Sequence, residues 1–158
     1  MKKPTIYIET SVFSYLTAEP STDIVTAARQ AHTRRWWNES RHDYDLYVSE
    51  FVVSEAAAGD PLQADRRLAA LAGIAEIQLG DTAADLAEIL VQQGPLPANA
   101  ALDALHIAVA VTGGMEYLLT WNFKHLANAT MRGQIERRCR LSGLEPPVIC
   151  TPEELSGA

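Results

Sequence analysis

The chain lacks any apolar run approaching the roughly 18 residues that a membrane-spanning helix needs. Its hydrophobic residues, 47% of the total, are therefore expected to fill a core. It opens Met1-Lys2-Lys3-Pro4 and passes at once into a strand-like segment. The long apolar stretch and small-residue cleavage site of a secretory signal are missing. Cysteine is scarce, only Cys139 and Cys150, too few for a disulfide framework, so a reduced, cytoplasmic protein is expected. No G-x-G-x-x-G follows the first strand and no G-x-x-x-x-G-K-[ST] occurs, which argues against a nucleotide-dependent enzyme of the doubly wound class. No close cysteine pair or His-x-His spacing points to zinc. Cations are few as well: 13 Lys and Arg against 20 Asp and Glu leave a net charge of −7. That balance counts against a protein that coats nucleic acid by bulk attraction.

What is present suits one globular domain over residues 1–158, with a loose tail from about 152 to 158. Thr5-Ile6-Tyr7-Ile8 is rich in β-branched and aromatic residues and follows Pro4, as a buried strand should. It delivers Glu9, Thr10 and Ser11 to the start of a short helix, Val12 to Leu16. A second helix is expected from Asp23 to about Arg41, capped by Ser21 or Thr22, with one of Trp36 and Trp37 packed inward. Leu46-Tyr47-Val48-Ser49 reads as a strand, with Ser49 capping the helix Glu50 to Ala58. Leu62 to Leu71 is amphipathic, Ile74 to Leu79 alternates as a strand, and Ala83 to Gln92 is helical. After the break at Gly94-Pro95-Leu96-Pro97, Asn99 is expected to cap an Ala-rich helix to Thr112 that is apolar on nearly every face. A strand Tyr117 to Thr120, a basic helix Met131 to Leu141 and a last strand Val148 to Thr151 complete the chain. Strands alternating with helices imply an α/β fold: a mostly parallel sheet of about five strands with helices on both faces.

In such a sheet ligands bind outside the carboxyl ends of the strands. Four polar residues stand out on that basis. Glu9 ends strand one, Glu55 lies in the helix after strand two, Asp103 sits on the first turn of the apolar helix, and Asn122 follows the fourth strand. Each has a bland alternative: a capping acid, an exposed helix residue, an acid at the positive end of a helix dipole, a turn former. Asp103 is the most telling, because a lone buried carboxylate costs several kcal/mol. Three carboxylates meeting at one edge would repel by about 4 kcal/mol per pair at about 4 Å and an effective dielectric of about 20. A cation would make the cluster tolerable, and oxygen ligands favour Mg²⁺ or Mn²⁺. Two basic stretches, Arg29 to Arg41 and Lys124 to Arg140, are either solvated helix faces or a local phosphate-binding rim.

These segments resemble a PIN domain, the ribonuclease fold of the VapC-type toxins, over nearly the whole chain. The opening strand and acid read Ile6-Tyr7-Ile8-Glu9-Thr10-Ser11, the second motif Ser49 and Glu55, the third Asp103-Ala104-Leu105-His106-Ile107-Ala108, and the fourth Leu118-Leu119-Thr120-Trp121-Asn122-Phe123. The resemblance implies a Mg²⁺- or Mn²⁺-dependent endoribonuclease that leaves a 5′-phosphate and a 3′-hydroxyl, the toxin of a type II toxin-antitoxin pair. It implies an RNA substrate, an antitoxin protein partner, a homodimer and no membrane. Glu9, Glu55, Asp103 and Asn122 would be the catalytic metal-holding set. Thr10, Ser11 and Thr120 would orient ligands or the scissile phosphate, and Lys124, His125 and Asn128 would meet the RNA backbone. His106, three residues past Asp103, reads as a packed core histidine.

Two departures matter. The first acid is Glu where the family more often has Asp, and the fourth position is the neutral Asn122. The amide lowers the charge of the site, so a second ion should bind more weakly. A catalytically weak or inactive PIN-like module that binds RNA or protein is the other reading, favoured by Asn122 and by the acidic balance.

Overall fold

A computed structural model describes residues 1–156. Its centre is a five-stranded sheet of β1 (Thr5–Ile8), β2 (Asp45–Ser49), β3 (Ala75–Ile77), β4 (Tyr117–Leu119) and β5 (Val148–Cys150). The strands lie in the order β3-β2-β1-β4-β5, and all four pairings are parallel. Ile6, Tyr7 and Ile8 are fully buried, as expected of a central strand covered on both faces.

Among the described residues seven α-helices connect these strands: α1 (Thr10–Thr17), α2 (Ile24–Arg35), α3 (Glu50–Ala56), α4 (Pro61–Leu71), α5 (Asp81–Gln92), α6 (Ala101–Thr112) and α7 (Ala129–Leu141). They form two packing groups, joined where α3 meets α6. α1 packs on α2, α3 and α4, and α5 packs on α6 and α7. α6 is the most buried helix, with Ala104 and every residue from His106 to Val111 out of solvent. Its alanines permit close approach, and a buried Ile107 or Val109 contributes about 1.5–3 kcal/mol by leaving water. The helix ends at Gly113, where a β-carbon would stand 2.9 Å from Ile77 Cδ1 and from Val109 O. A side chain there would have to displace the end of Ile77 on β3 and crowd the helix's own carbonyl at Val109.

Several helix starts differ from the sequence expectation, each for an identifiable reason. Asp23, rather than Ser21 or Thr22, caps α2 by accepting from Thr26 N. Asn99 lies in a 3₁₀ turn, Ala98–Ala100, so the apolar helix starts at Ala101 without a side-chain cap. Ser49 precedes α3 but makes no capping bond, because its hydroxyl is committed to Tyr7, 2.7 Å away. α2 continues beyond Arg35 as a π-helical turn, Trp36–Ser40, which places Trp36 fully inside and leaves Trp37 half-buried.

Part of the stretch expected to be a loose tail is tied down. Thr151 N donates to Glu154 Oε1 at 3.0 Å, Leu155 N donates to Thr151 O at 3.2 Å, and Leu155 packs on the core. The remainder of that expectation, residues 157–158, lies outside the described residues. Cys139 and Cys150 are buried free thiols, pushed up to about 11 and about 12 by burial. No helix among the described residues is long and apolar enough to cross a membrane.

Candidate metal centre

Parallel register assembles the site. β1 pairs with β4 through Ile8 and Leu119, and with β2 through Tyr7 and Tyr47. One step on, Glu9 stands beside Thr120 and level with Ser49. Glu9 N donates to Leu119 O at 3.0 Å, which carries the ladder to this point. The chain leaves β1 toward β2 on one side and returns as β4 on the other, so this is the switch point of the sheet, where a crevice opens. α3 brings Glu55 over it, and α6 brings Asp103 and, one turn later, His106.

Glu9 is 5% exposed and is held by neutral donors alone. Ser11 Oγ and Thr120 Oγ1 both donate to Oε1 at 2.5 Å, and Ser11 N donates to Oε2 at 3.0 Å. Those two hydroxyls are fixed in turn by Trp121 N and Asn122 N, which donate to them at 2.8 and 2.9 Å. Ser11 and Thr120, expected to orient ligands or phosphate, thus spend their single protons on Glu9.

Glu55 Oε1 accepts from Thr10 Oγ1 at 2.7 Å and from His106 Nε2 at 2.5 Å. Behind it, His106 Nδ1 meets Tyr7 Oη at 2.6 Å, and Tyr7 Oη meets Ser49 Oγ at 2.7 Å. Burial pushes Glu55 up. The hydrogen bonds from His106 and from the Thr10 hydroxyl outweigh it and hold the carboxyl below its ordinary range. Burial drives the Tyr7 hydroxyl far above its ordinary range, with the Ser49 bond opposing and the charges of Glu9 and Glu55 adding. The phenol therefore stays protonated. His106 is fully buried, as expected of a core histidine, but it is also bonded to a site carboxylate. Its spacing three residues after Asp103, on an otherwise apolar face, is the sequence signal for that bond. For Tyr7 the signal is a hydroxyl within a run of buried strand residues.

Asp103 and Asn122 form an adjoining unit. Asn122 Nδ2 donates to Asp103 Oδ1 at 3.1 Å, and His125 Nδ1 donates to Asp103 Oδ2 at 2.7 Å. Asn122 Oδ1 accepts from Lys124 N at 3.2 Å and from His125 N at 3.0 Å. Backbone N–H groups can only donate, which fixes that atom as the oxygen and turns the NH₂ toward Asp103. His125 is 8% exposed, and Lys124 is exposed. Asn128 accepts from Thr130 N as the cap of α7.

Glu9, Glu55 and His106 each offer a ligand atom within 4.8 Å of the others. Among the described residues no Lys or Arg pairs with Glu9, Glu55 or Asp103. The basic side chains that meet them are histidines, His106 on Glu55 and His125 on Asp103. A nearly buried carboxylate with only neutral donors, facing a second carboxylate, leaves negative charge unmatched at low dielectric. The donor set therefore fits a divalent cation.

The fold has known counterparts. VapC20 of Mycobacterium tuberculosis, described as a Sarcin-Ricin loop cleaving toxin, superposes with a TM-score of 0.56 at 18% identity, over 76% of this chain and 92% of that one. VapBC2 of Rickettsia felis, solved bound to a DNA fragment from its promoter, gives 0.57 at 13% identity, over 93% of this chain and 98% of that one. The chain has the PIN-like, VapC-like α/β fold. At these identities the likeness is one of fold. No family model matches the sequence and no curated protein matches it.

Proposed function

We propose that this protein is a metal-dependent endoribonuclease that hydrolyses RNA phosphodiester bonds, acting as the toxin of a toxin-antitoxin pair. The observation that carries the reading is the approach of Glu9, Glu55 and His106 to within 4.8 Å at the carboxyl edge of a parallel sheet, with no arginine or lysine among the described residues paired to the acids. Glu9 and Glu55 would hold Mg²⁺ or Mn²⁺ directly, with Asp103, braced by Asn122, holding its water shell. A divalent ion at such a site supplies positive charge that acidifies an attacking water and offsets charge on the scissile phosphate.

The chain's own groups do the positioning. Ser11 and Thr120 fix the rotamer of Glu9, and Thr10 and His106 fix that of Glu55. His125 steadies Asp103. The exposed Lys124, next to that turn, supplies charge for the RNA backbone. The antitoxin partner, the homodimer and a cytoplasmic location belong to the same reading. Of these, the antitoxin partner is supported by the shared fold with VapC in its VapBC2 complex.

The test is cleavage of structured RNA by purified protein with and without Mn²⁺, beside Asp103→Asn. Metal assistance is worth several kcal/mol, so removing one of its carboxylates should slow cutting by about 100-fold or more. Equal traces from both proteins would leave the binding module, which the engaged oxygen of Asn122 favours.

A further inference from the structure

We propose that Tyr7 and His106 are positioning residues that set Glu55 for the ion, so that a buried tyrosine-histidine pair takes the place of a charged partner. The inference rests on the metal-centre reading above and deepens it: His106, which there fixes the rotamer of Glu55, is itself set by Tyr7, a residue which that reading does not use.

The proton directions carry it. A carboxylate only accepts, so Thr10 Oγ1 and His106 Nε2 both donate to Glu55 Oε1, at 2.7 and 2.5 Å. With Nε2 protonated, the neutral ring has one acceptor left, Nδ1, and Tyr7 Oη stands 2.6 Å from it. Tyr7 Oη then donates to the ring and accepts from Ser49 Oγ at 2.7 Å. Each donor is spent once, and the chain runs one way: Ser49 to Tyr7 to His106 to Glu55. Both hydrogen bonds described for Glu55 fall on Oε1. The chain therefore draws one oxygen inward and turns Oε2 outward.

Burial adds weight. Tyr7, Ser49 and His106 are each fully buried, in the middle of a core where Phe, Ala and Leu would avoid the desolvation of three polar groups. Tyr7 sits on the central strand and His106 on the most buried helix. The orientation of Glu55 is thus tied to the central strand and to the most buried helix, although Glu55 itself sits on the short helix α3. Partners that orient a ligating carboxylate in this way typically change metal affinity by about 10–100-fold when removed.

The measurement is calorimetric titration of Mn²⁺ alone into the purified full chain, with thermal unfolding of the metal-free protein beside it. Tyr7→Phe keeps the ring and deletes only the hydroxyl. It should weaken Mn²⁺ binding by about tenfold or more while the metal-free protein keeps a cooperative transition. His106→Leu should weaken binding further. Since that variant can fail to fold, Tyr7→Phe is the deciding one. Unchanged Mn²⁺ affinity in Tyr7→Phe, with binding lost in Glu55→Gln, overturns the positioning role and leaves the metal centre standing. Absence of Mn²⁺ binding in the unaltered protein overturns both.

Discussion

The two halves of the polar edge are built from similar residues and do different work. On one side Glu9 and Glu55 are gripped from behind by hydroxyls and an imidazole. Both bonds to Glu55 fall on a single oxygen, Oε1. On the other side Asp103 is bonded through both oxygens, by Asn122 and His125. The amide oxygen of Asn122 is occupied by two backbone N–H groups of the turn that follows. The first half leaves negative charge facing a guest on one side, and the second ties both oxygens of its acid into the neighbouring turn. A constellation that reads in the sequence as four equivalent ligands is therefore a pair of acids with an imidazole behind them, beside a third acid held in a hydrogen-bonded brace.

The sharpest way to break that contrast is Asn122→Asp. The new carboxylate could still accept from Lys124 N and His125 N. It could not donate to Asp103, and it would place like charges about where a 3.1 Å hydrogen bond now lies. With the donor lost and a repulsion added, the metal-free protein should lose about 1–3 kcal/mol of stability. For a chain of this length each kcal/mol lowers the unfolding midpoint by about 2–4 °C. Saturating Mn²⁺ should return most of the loss, because binding to the native state alone adds stability, and Mn²⁺ affinity should rise. Equal midpoints for variant and parent without metal would mean that the brace is not one.

What is legible in the sequence follows from which interactions are local. The alternation of strand and helix, the buried character of the opening strand and the Ala-rich helix are period and composition effects, and the sheet forms as those patterns require. That Glu9, Ser49 and Thr120 share an edge follows once strands are paired, since each ends or follows a strand. The partners of Tyr7 are not legible. Ser49 is 42 residues away and His106 is 99, and no local rule links them. The same long-range bond removes Ser49 from the cap that its position suggests. His106 reads as core because a histidine on an apolar face is usually that. It is buried, and it also holds a site carboxylate: burial and function are not alternatives at this position.

Asn128 tests the boundary of the brace at a smaller scale. Its place in the sequence groups it with Lys124 and His125 as an RNA contact. In the structure its Oδ1 accepts from Thr130 N and Thr130 Oγ1, and its Nδ2 donates to Lys124 O. Asn128→Ala should cost about 1 kcal/mol, the usual worth of an N-cap, and leave Mn²⁺ affinity unchanged, as thermal unfolding and calorimetry would read. Unaltered stability with weakened RNA binding would return Asn128 to the RNA surface and extend the functional half past Asn122.

The smallest effect comes from acid, and it isolates the first half. Burial raises the Glu55 carboxyl, but the hydrogen bonds from His106 and the Thr10 hydroxyl lower it further, so its folded value lies under the ordinary 4.5. Below 4.5 the unfolded chain takes up this proton more readily than the native one. Stability from this group is thus complete above the ordinary value and fades as pH falls from 4.5 toward the lower folded value. The side chain is 33% exposed, so solvent screening keeps the contribution modest. Glu55→Gln has no proton to take up there. Plotted against pH without metal, the difference in unfolding midpoint between parent and variant should be constant above 4.5 and shift against the parent below it. A difference that stays flat through that window would mean His106 and Thr10 do not favour the charged form, and the grip on Glu55 would be looser than its distances imply.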